Sequence, residues 1–139
     1  MRFFIISLFF SFSTSVFSQE IGFVRSGDHS IKLLKENNRF SLVYSDINST
    51  TNNITENSFH FAFKESVYAI LIDGFNKTTS HQIIIKASND TIVKFEYNKI
   101  GGERLVKIKQ NNLTEDTFGM SAFFKKEDIV QLFGNNFKG

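Results

Sequence analysis

Three histidines, His29, His60 and His81, are the residues of this chain with the widest catalytic repertoire. Each could act as a general base if the fold placed a carboxylate beside it. They lie in three separate segments, and none has a second ligand at a spacing typical of a metal site. Isolated histidines are more often structural or surface residues. We therefore assign no catalytic, cofactor-binding or metal-binding residue from the sequence and expect no cofactor.

Other catalytic patterns are missing or weak. The chain has no cysteine, which excludes thiol catalysis, zinc–thiolate sites and a lipid-modified cysteine anchor. It has no G-x-S-x-G motif and no phosphate-binding loop. Asp28 precedes His29 in "SGDH", but Ser-Gly-Asp is typical of a turn. Glu65 and Asp73, eight residues apart, do not form an acid–base pair.

The segment from 45 to 58 is polar and contains two N-glycosylation sequons, at Asn48 and Asn53. Three further sequons begin at Asn76, Asn89 and Asn112. A chain rich in Asn, Ser and Thr forms such triplets by chance, which is the interpretation we favour. The segment has no aromatic residue, arginine or glycine, so we predict a flexible, solvated connection, with a binding loop as the alternative.

The charges are nearly balanced, with a formal net charge of +2 over 139 residues. Domains that bind nucleic acid usually concentrate basic charge, so we expect no nucleic-acid partner. The length suits one domain.

The first eighteen residues have the pattern of a secretory signal peptide. Arg2 precedes an apolar run that ends at Phe12, and small or hydroxyl residues follow. The run is shorter than the roughly 20 residues of a transmembrane helix. We predict a signal peptide at 1–18, cleavage near Ser18–Gln19, and a single domain at 19–139 with no transmembrane segment. A membrane anchor or a buried helix is the alternative.

Alternating apolar residues predict strands at 30–34, 39–45, 58–63, 81–88, 91–99 and 104–110. In "SFHFAF" the alternation places Phe59, Phe61 and Phe63 on one face, which we assign to the core. The last three strands form an antiparallel meander whose other face is rich in lysine.

Two segments have the periodicity of helices. In "KESVYAILIDGFNK", Val67, Leu71 and Phe75 recur every four residues, although its centre could also be a buried strand. Near the C-terminus, Ile129, Leu132 and Phe133 share a helix face, and Gly134 ends it. We predict an α+β domain: an antiparallel sheet of about five or six strands with one central and one C-terminal helix packed on one face.

The ending "FKKEDIVQLFG", behind a β-meander and an N-terminal segment that ends in "FSQ", resembles small secreted proteins of unknown function from Bacteroidota bacteria. The resemblance also covers "FKESVYAILIDGF". It implies secretion and no particular activity. The chain departs from that pattern at Phe124, where a serine or threonine cap is usual, so we predict that the last helix begins near Ser121. "DTI" resembles the O-glycosylation pattern of these bacteria and would place a sugar on Thr91.

These observations predict a secreted, non-catalytic protein of the periplasm or cell surface that binds a protein or an envelope component. We do not expect an enzyme. The alternative is a small secreted hydrolase that uses His60 or His81 with a nearby carboxylate. A further alternative is an envelope structural protein whose apolar sheet dimerises.

Overall fold

The computed structural model describes residues 18–48, 53–77 and 79–134, so most of the predicted signal peptide lies outside the described residues. Four strands and a helix come first: β1 (Ser18–Ser26), β2 (His29–Glu36), β3 (Arg39–Ser45), β4 (Glu56–Phe61) and α1 (Lys64–Gly74). The same order follows again: β5 (His81–Ala87), β6 (Thr91–Ile100), β7 (Glu103–Asn112), β8 (Thr117–Phe124) and α2 (Lys126–Leu132).

The predicted α+β fold with a single sheet of five or six strands is wrong. The described chain is mostly β, with two four-stranded antiparallel sheets in the orders β1-β2-β3-β4 and β5-β6-β7-β8. Each of the two short helices follows the last strand of one sheet in the chain. The prediction failed because it missed β1 and β8 and joined all the strands into one sheet.

The two sheets share one core. The rings of Phe59 on β4 and Phe95 on β6 lie 6.5 Å apart between centroids, which joins the inner faces of the sheets. The alternation predicted for β3, β6 and β7 is confirmed, although Phe40, on the predicted inward face of β3, is only half-buried. The other inward residues are fully buried: Leu42, Tyr44, Val93, Phe95, Tyr97, Val106 and Ile108. Every second residue of these strands is therefore buried, in both sheets.

The unpredicted strands β1 and β8 carry small residues where other elements approach closely. A Cβ atom on Gly22 of β1 would overlap the carbonyl oxygen of Leu132 in α2. A Cβ atom on Gly119 of β8 would lie 2.7 Å from the hydroxyl oxygen of Tyr44. Ser121 is also fully buried in β8. Such positions interrupt the apolar alternation that marks a strand in a sequence.

Helix α1 confirms the predicted helical period, since Val67 and Leu71 are buried. The hydroxyl group of Tyr97 donates a hydrogen bond to the carbonyl oxygen of Leu71, at 2.7 Å. The core assignment of Phe63 is wrong: its side chain is 73% exposed. Strand β4 ends at Phe61, and Phe63 is the N-cap residue of α1. The strand alternation therefore no longer determines which way Phe63 points.

Helix α2 begins after Lys125, so the predicted start near Ser121 is wrong. The carboxylate of Asp128 accepts a hydrogen bond from the backbone N–H of Lys125 at 2.9 Å and stabilises the helix start in place of a Ser or Thr cap. The predicted face is confirmed, because Ile129, Leu132 and Phe133 are fully buried.

Candidate binding cleft

The three histidines lie on three different strands. His29 begins β2, His60 lies within β4 and His81 begins β5. The ring of His81 stacks on Tyr97, with centroids 4.8 Å apart, and its Nδ1 lies 2.9 Å from the carbonyl oxygen of Thr79. His81 therefore packs against the core at the start of β5.

His60 is the histidine with a carboxylate nearby. Its Nδ1 lies 3.9 Å from Oε1 of Glu36, beyond hydrogen-bond distance. Burial lowers the pKa of His60, Arg39 lowers it further, and Glu36 opposes both. Ser41 pairs with His60 across the strands but is only 2% exposed, so it is a poor nucleophile for an external substrate. The hydrolase alternative thus has a base and an acid at this place but not an accessible hydroxyl group at Ser41.

Metal ligands do not converge in the part of the chain that the structure describes. Within it, there is no group of three or more histidines, aspartates or glutamates placed to hold a metal ion.

The segment from 45 to 58 is anchored on both sides of residues 49–52, which lie outside the described residues. The backbone N–H of Asp46 donates to the carbonyl oxygen of Thr55 at 2.9 Å, and that of Ile47 donates to Met120 of β8 at 2.9 Å. The carboxylate of Asp46 also accepts a hydrogen bond from the side-chain amide of Asn57, at 2.6 Å. These bonds fix the base of a segment that we predicted to be a flexible connection.

The sequons at Asn48 and Asn53 and the O-glycosylation pattern at Thr91 differ in accessibility. Asn48 and Asn53 are exposed. Thr91 is 6% exposed, and its hydroxyl oxygen accepts a hydrogen bond from the side-chain amide of Asn112 at 3.2 Å. A sugar on Thr91 would therefore have to be attached before the chain folds.

A cleft of 440 Å³ opens between helix α1 and strand β5. Its apolar lining combines residues from the end of β4, from α1 and from β5: Phe61, Ala62, Phe63, Val67, Ile70, Ile85 and Ala87. Lys86, Ser66 and Ser88 supply its polar groups. The volume lies within the usual range of roughly 300–1,000 Å³ for ligand sites.

One wall of this α1–β5 cleft is a sheet edge. Strand β5 is the outermost strand of its sheet and pairs with β6 on one side only. It meets β4 at a hydrogen bond from the backbone N–H of Ser88 to the carbonyl oxygen of His60, at 3.1 Å. An edge strand presents backbone N–H and C=O groups that can pair with another extended chain. The arrangement thus combines backbone hydrogen-bonding groups with an adjacent apolar surface.

Sequence reasoning missed this cleft because its walls come from three elements. One signal was present: "HQIIIKA" has no proline, and Ile84 occupies a position on the polar side of the alternation. Ile84 is 55% exposed in the structure. Edge strands usually carry charged residues or proline that discourage pairing with another chain, so an exposed isoleucine on such a strand is unusual.

Comparisons with protein-family models, curated proteins and solved structures find no match for this chain. Among the described residues, neither helix has the length and apolar character needed to cross a membrane.

Proposed function

We propose that this chain is a secreted, non-catalytic protein of the periplasm or cell surface that binds an extended segment of another protein in the α1–β5 cleft. The observation that carries the proposal is the open edge of β5 beside an apolar cleft. Secretion rests on the predicted signal peptide and on the resemblance to small secreted Bacteroidota proteins.

The edge of β5 favours an extended polypeptide as the bound partner. A peptide that adds to a sheet edge gains main-chain hydrogen bonds, and pockets beside the edge accept alternate side chains. Strand β5 has seven residues, which is long enough to pair with such a segment. Apart from the hydrogen bond between Ser88 and His60, no strand pairs with its other side in the part of the chain that the structure describes.

The lining of the cleft supplies the apolar contacts. Phe63 is 73% exposed at its rim, and half-buried Ile70 and Ile85 lie within it. Large aromatic residues are frequent binding hot spots because a single ring removes much apolar area from water. An apolar side chain of the partner would cover the ring of Phe63.

The experiment uses three immobilised baits: the chain from Gln19 onward, its Phe63→Glu variant and its Phe23→Glu variant. Phe23 is the matched control, because it is 39% exposed and lies on β1 in the other sheet. We expect the wild-type and Phe23→Glu baits to retain the same envelope protein and the Phe63→Glu bait to lose it. Equal retention by all three baits, or no specific retention, would contradict the proposal.

Light scattering tests whether the partner is a second copy of this chain. We expect a monomer at micromolar concentration. A dimer that dissociates on Phe63→Glu substitution would assign the cleft to self-association and would contradict binding of a different protein.

The proposed location has its own test. Expression of the full chain in a Bacteroidota host, followed by cell fractionation and N-terminal sequencing, should yield a periplasmic or surface protein that begins at Gln19. An unprocessed chain in the cytoplasm would rule out the secreted location.

A further inference from the structure

The outward face of the second sheet is basic. Because Val93, Phe95 and Tyr97 point into the core, the alternate residues of β6 and their cross-strand partners point outward. The charged residues on this outward face are four lysines and two glutamates: Lys86, Lys94, Lys107, Lys109, Glu96 and Glu103. Their net charge of +2 equals the formal net charge of the entire chain. The face therefore holds a local excess of positive charge.

Two of these lysines interact with other side chains of the face. The ammonium group of Lys109 lies 3.0 Å from the carboxylate of Glu96, and that of Lys107 lies 4.4 Å from the ring centroid of Phe123. Lys86 and Lys94 form no ion pair with any residue that the structure describes. These two side chains are available to an external anion.

Exposed apolar side chains concentrate on the same face. Seven large apolar residues are exposed within the described ranges, and four of them lie on this face or at its edge: Ile84 (55%), Ile100 (46%), Leu113 (61%) and Phe118 (56%). Leu113 and Phe118 border a shallow cleft of 290 Å³ that also contains Ile92, Lys94 and Lys109. Cations and apolar groups thus alternate across one broad sheet face.

We propose that this outward face docks on an anionic lipid surface. Lysines near such a surface are attracted to acidic headgroups, while apolar side chains enter the boundary between headgroups and acyl chains. The apolar residues are spread over several strands, and the cleft is at the low end of the volumes that enclose a small ligand. Apolar side chains on several strands can all contact a planar membrane surface, whereas one small molecule in a pocket could contact only a few of them.

Acidic residues in the neighbouring turns determine the orientation of this face on the lipid surface. Asp90 lies in the β5–β6 turn, and Glu115 and Asp116 lie in the β7–β8 turn. All three are exposed at one end of the sheet and none is on the outward face of a strand. The strands, which carry Lys94, Lys107 and Lys109 on this face, would approach the lipid together with Leu113 and Phe118, and the carboxylates of the turns would lie at the rim of the contact.

The test is co-sedimentation with vesicles, using the chain from Gln19 onward. This chain keeps the whole core, because the core residues run from Val24 to Phe133. One vesicle preparation contains phosphatidylcholine alone, and the other contains equal parts of phosphatidylcholine and phosphatidylglycerol. We expect binding to the second preparation only, and a decrease in binding at high salt because salt screens the lysines.

Variants separate the face from the rest of the molecule. Neutralising one lysine near an anionic surface weakens binding about fivefold, so Lys94→Gln, which does not alter the α1–β5 cleft, should weaken it by about that factor. Leu113→Ser with Phe118→Ser should also reduce binding. Lys35→Gln, at an exposed position of the first sheet, and Phe63→Ser, in the α1–β5 cleft, are the matched controls and should bind as wild type.

Three outcomes would overturn the proposal: no binding to anionic vesicles, equal binding to both vesicle types, or loss of binding in the controls to the same degree as in the face variants. None of them bears on the protein partner proposed for the α1–β5 cleft, because that surface is tested by Phe63→Glu.

Discussion

At the scale of single residues, His60 couples the stability of the fold to pH. Burial and the guanidinium group of Arg39 lower its pKa, and Glu36 only partly opposes them. A histidine with a lowered pKa binds a proton less readily in the folded chain than in the unfolded chain. Its contribution to stability is therefore complete above the unfolded pKa of about 6.5 and is lost as the pH falls from there through the lower folded pKa.

We expect the melting temperature to decline in this range for the wild type and to decline less for His60→Gln. Arg39→Gln should also reduce the decline, because it removes one cause of the lowered pKa. Thermal unfolding followed by circular dichroism from neutral pH to about pH 5 measures both effects. An unchanged slope in His60→Gln would show that other groups cause the decline.

Tyr97 makes a buried hydrogen bond that links the second sheet to α1. Its hydroxyl group donates to the carbonyl oxygen of Leu71, and burial followed by the charge of Asp73 raises its pKa. Tyr97→Phe leaves that carbonyl without its donor, which should cost about 1–3 kcal/mol in the free energy of unfolding. Tyr68→Phe, at a half-buried tyrosine whose ring packs at a tilt against Phe133, should cost less than about 0.5 kcal/mol. Equal losses in urea titrations of the two variants would contradict this assignment.

At the scale of elements, α1 is held by the side chains that its period turns inward. Leu71 is fully buried, so Leu71→Ala should destabilise the chain by about 2–5 kcal/mol through lost transfer energy and the cavity that remains. Lys77, exposed beyond the end of the helix, is the control, and Lys77→Asp should change stability by no more than about 0.5 kcal/mol. A Leu71→Ala protein that unfolds at the same urea concentration as the wild type would be inconsistent with this packing.

Helix α2 packs directly against β1 at Gly22. Because the Cβ atom of an alanine would overlap the backbone of Leu132, either the helix or the strand must shift. We expect Gly22→Ala to cost about 1–3 kcal/mol, as overpacking usually does. Glu20→Ala, at an exposed position of the same strand, should be nearly neutral. Chemical denaturation of both variants provides the measurement, and a neutral Gly22→Ala would rule out so close a contact.

At the scale of the whole molecule, both sheets and both helices contribute to one contiguous core. Neither sheet can lose its partner without exposing its own inner face to water. We therefore expect one cooperative unfolding transition for the chain from Gln19 onward, with equal calorimetric and van't Hoff enthalpies. Two resolved transitions in differential scanning calorimetry would show that the sheets are independent units.

The sequence by itself determined the elements in which burial follows a local period. Strand β3 was predicted with its observed bounds, and α1 was predicted from the recurrence of Val67 and Leu71. In these elements a single face meets the core along the entire length, so the apolar pattern records the secondary structure directly. The lysine-rich side of the meander was also visible, since lysines alternate with the buried residues of β6 and β7.

Only the tertiary structure decided how the strands divide into two sheets and which surfaces remain open. Gly119 replaces a large apolar residue in β8 because the side chains of Tyr44 and Asn57 occupy that space. The buried hydroxyl group of Ser121 accepts a hydrogen bond from the backbone N–H of Ile108 at 2.9 Å. Phe63 continues the alternation of β4 in the sequence, yet the strand ends two residues earlier and the ring faces solvent. The α1–β5 cleft arises where separate elements meet, and the spacing of residues along a chain does not record contacts between elements that are distant in sequence.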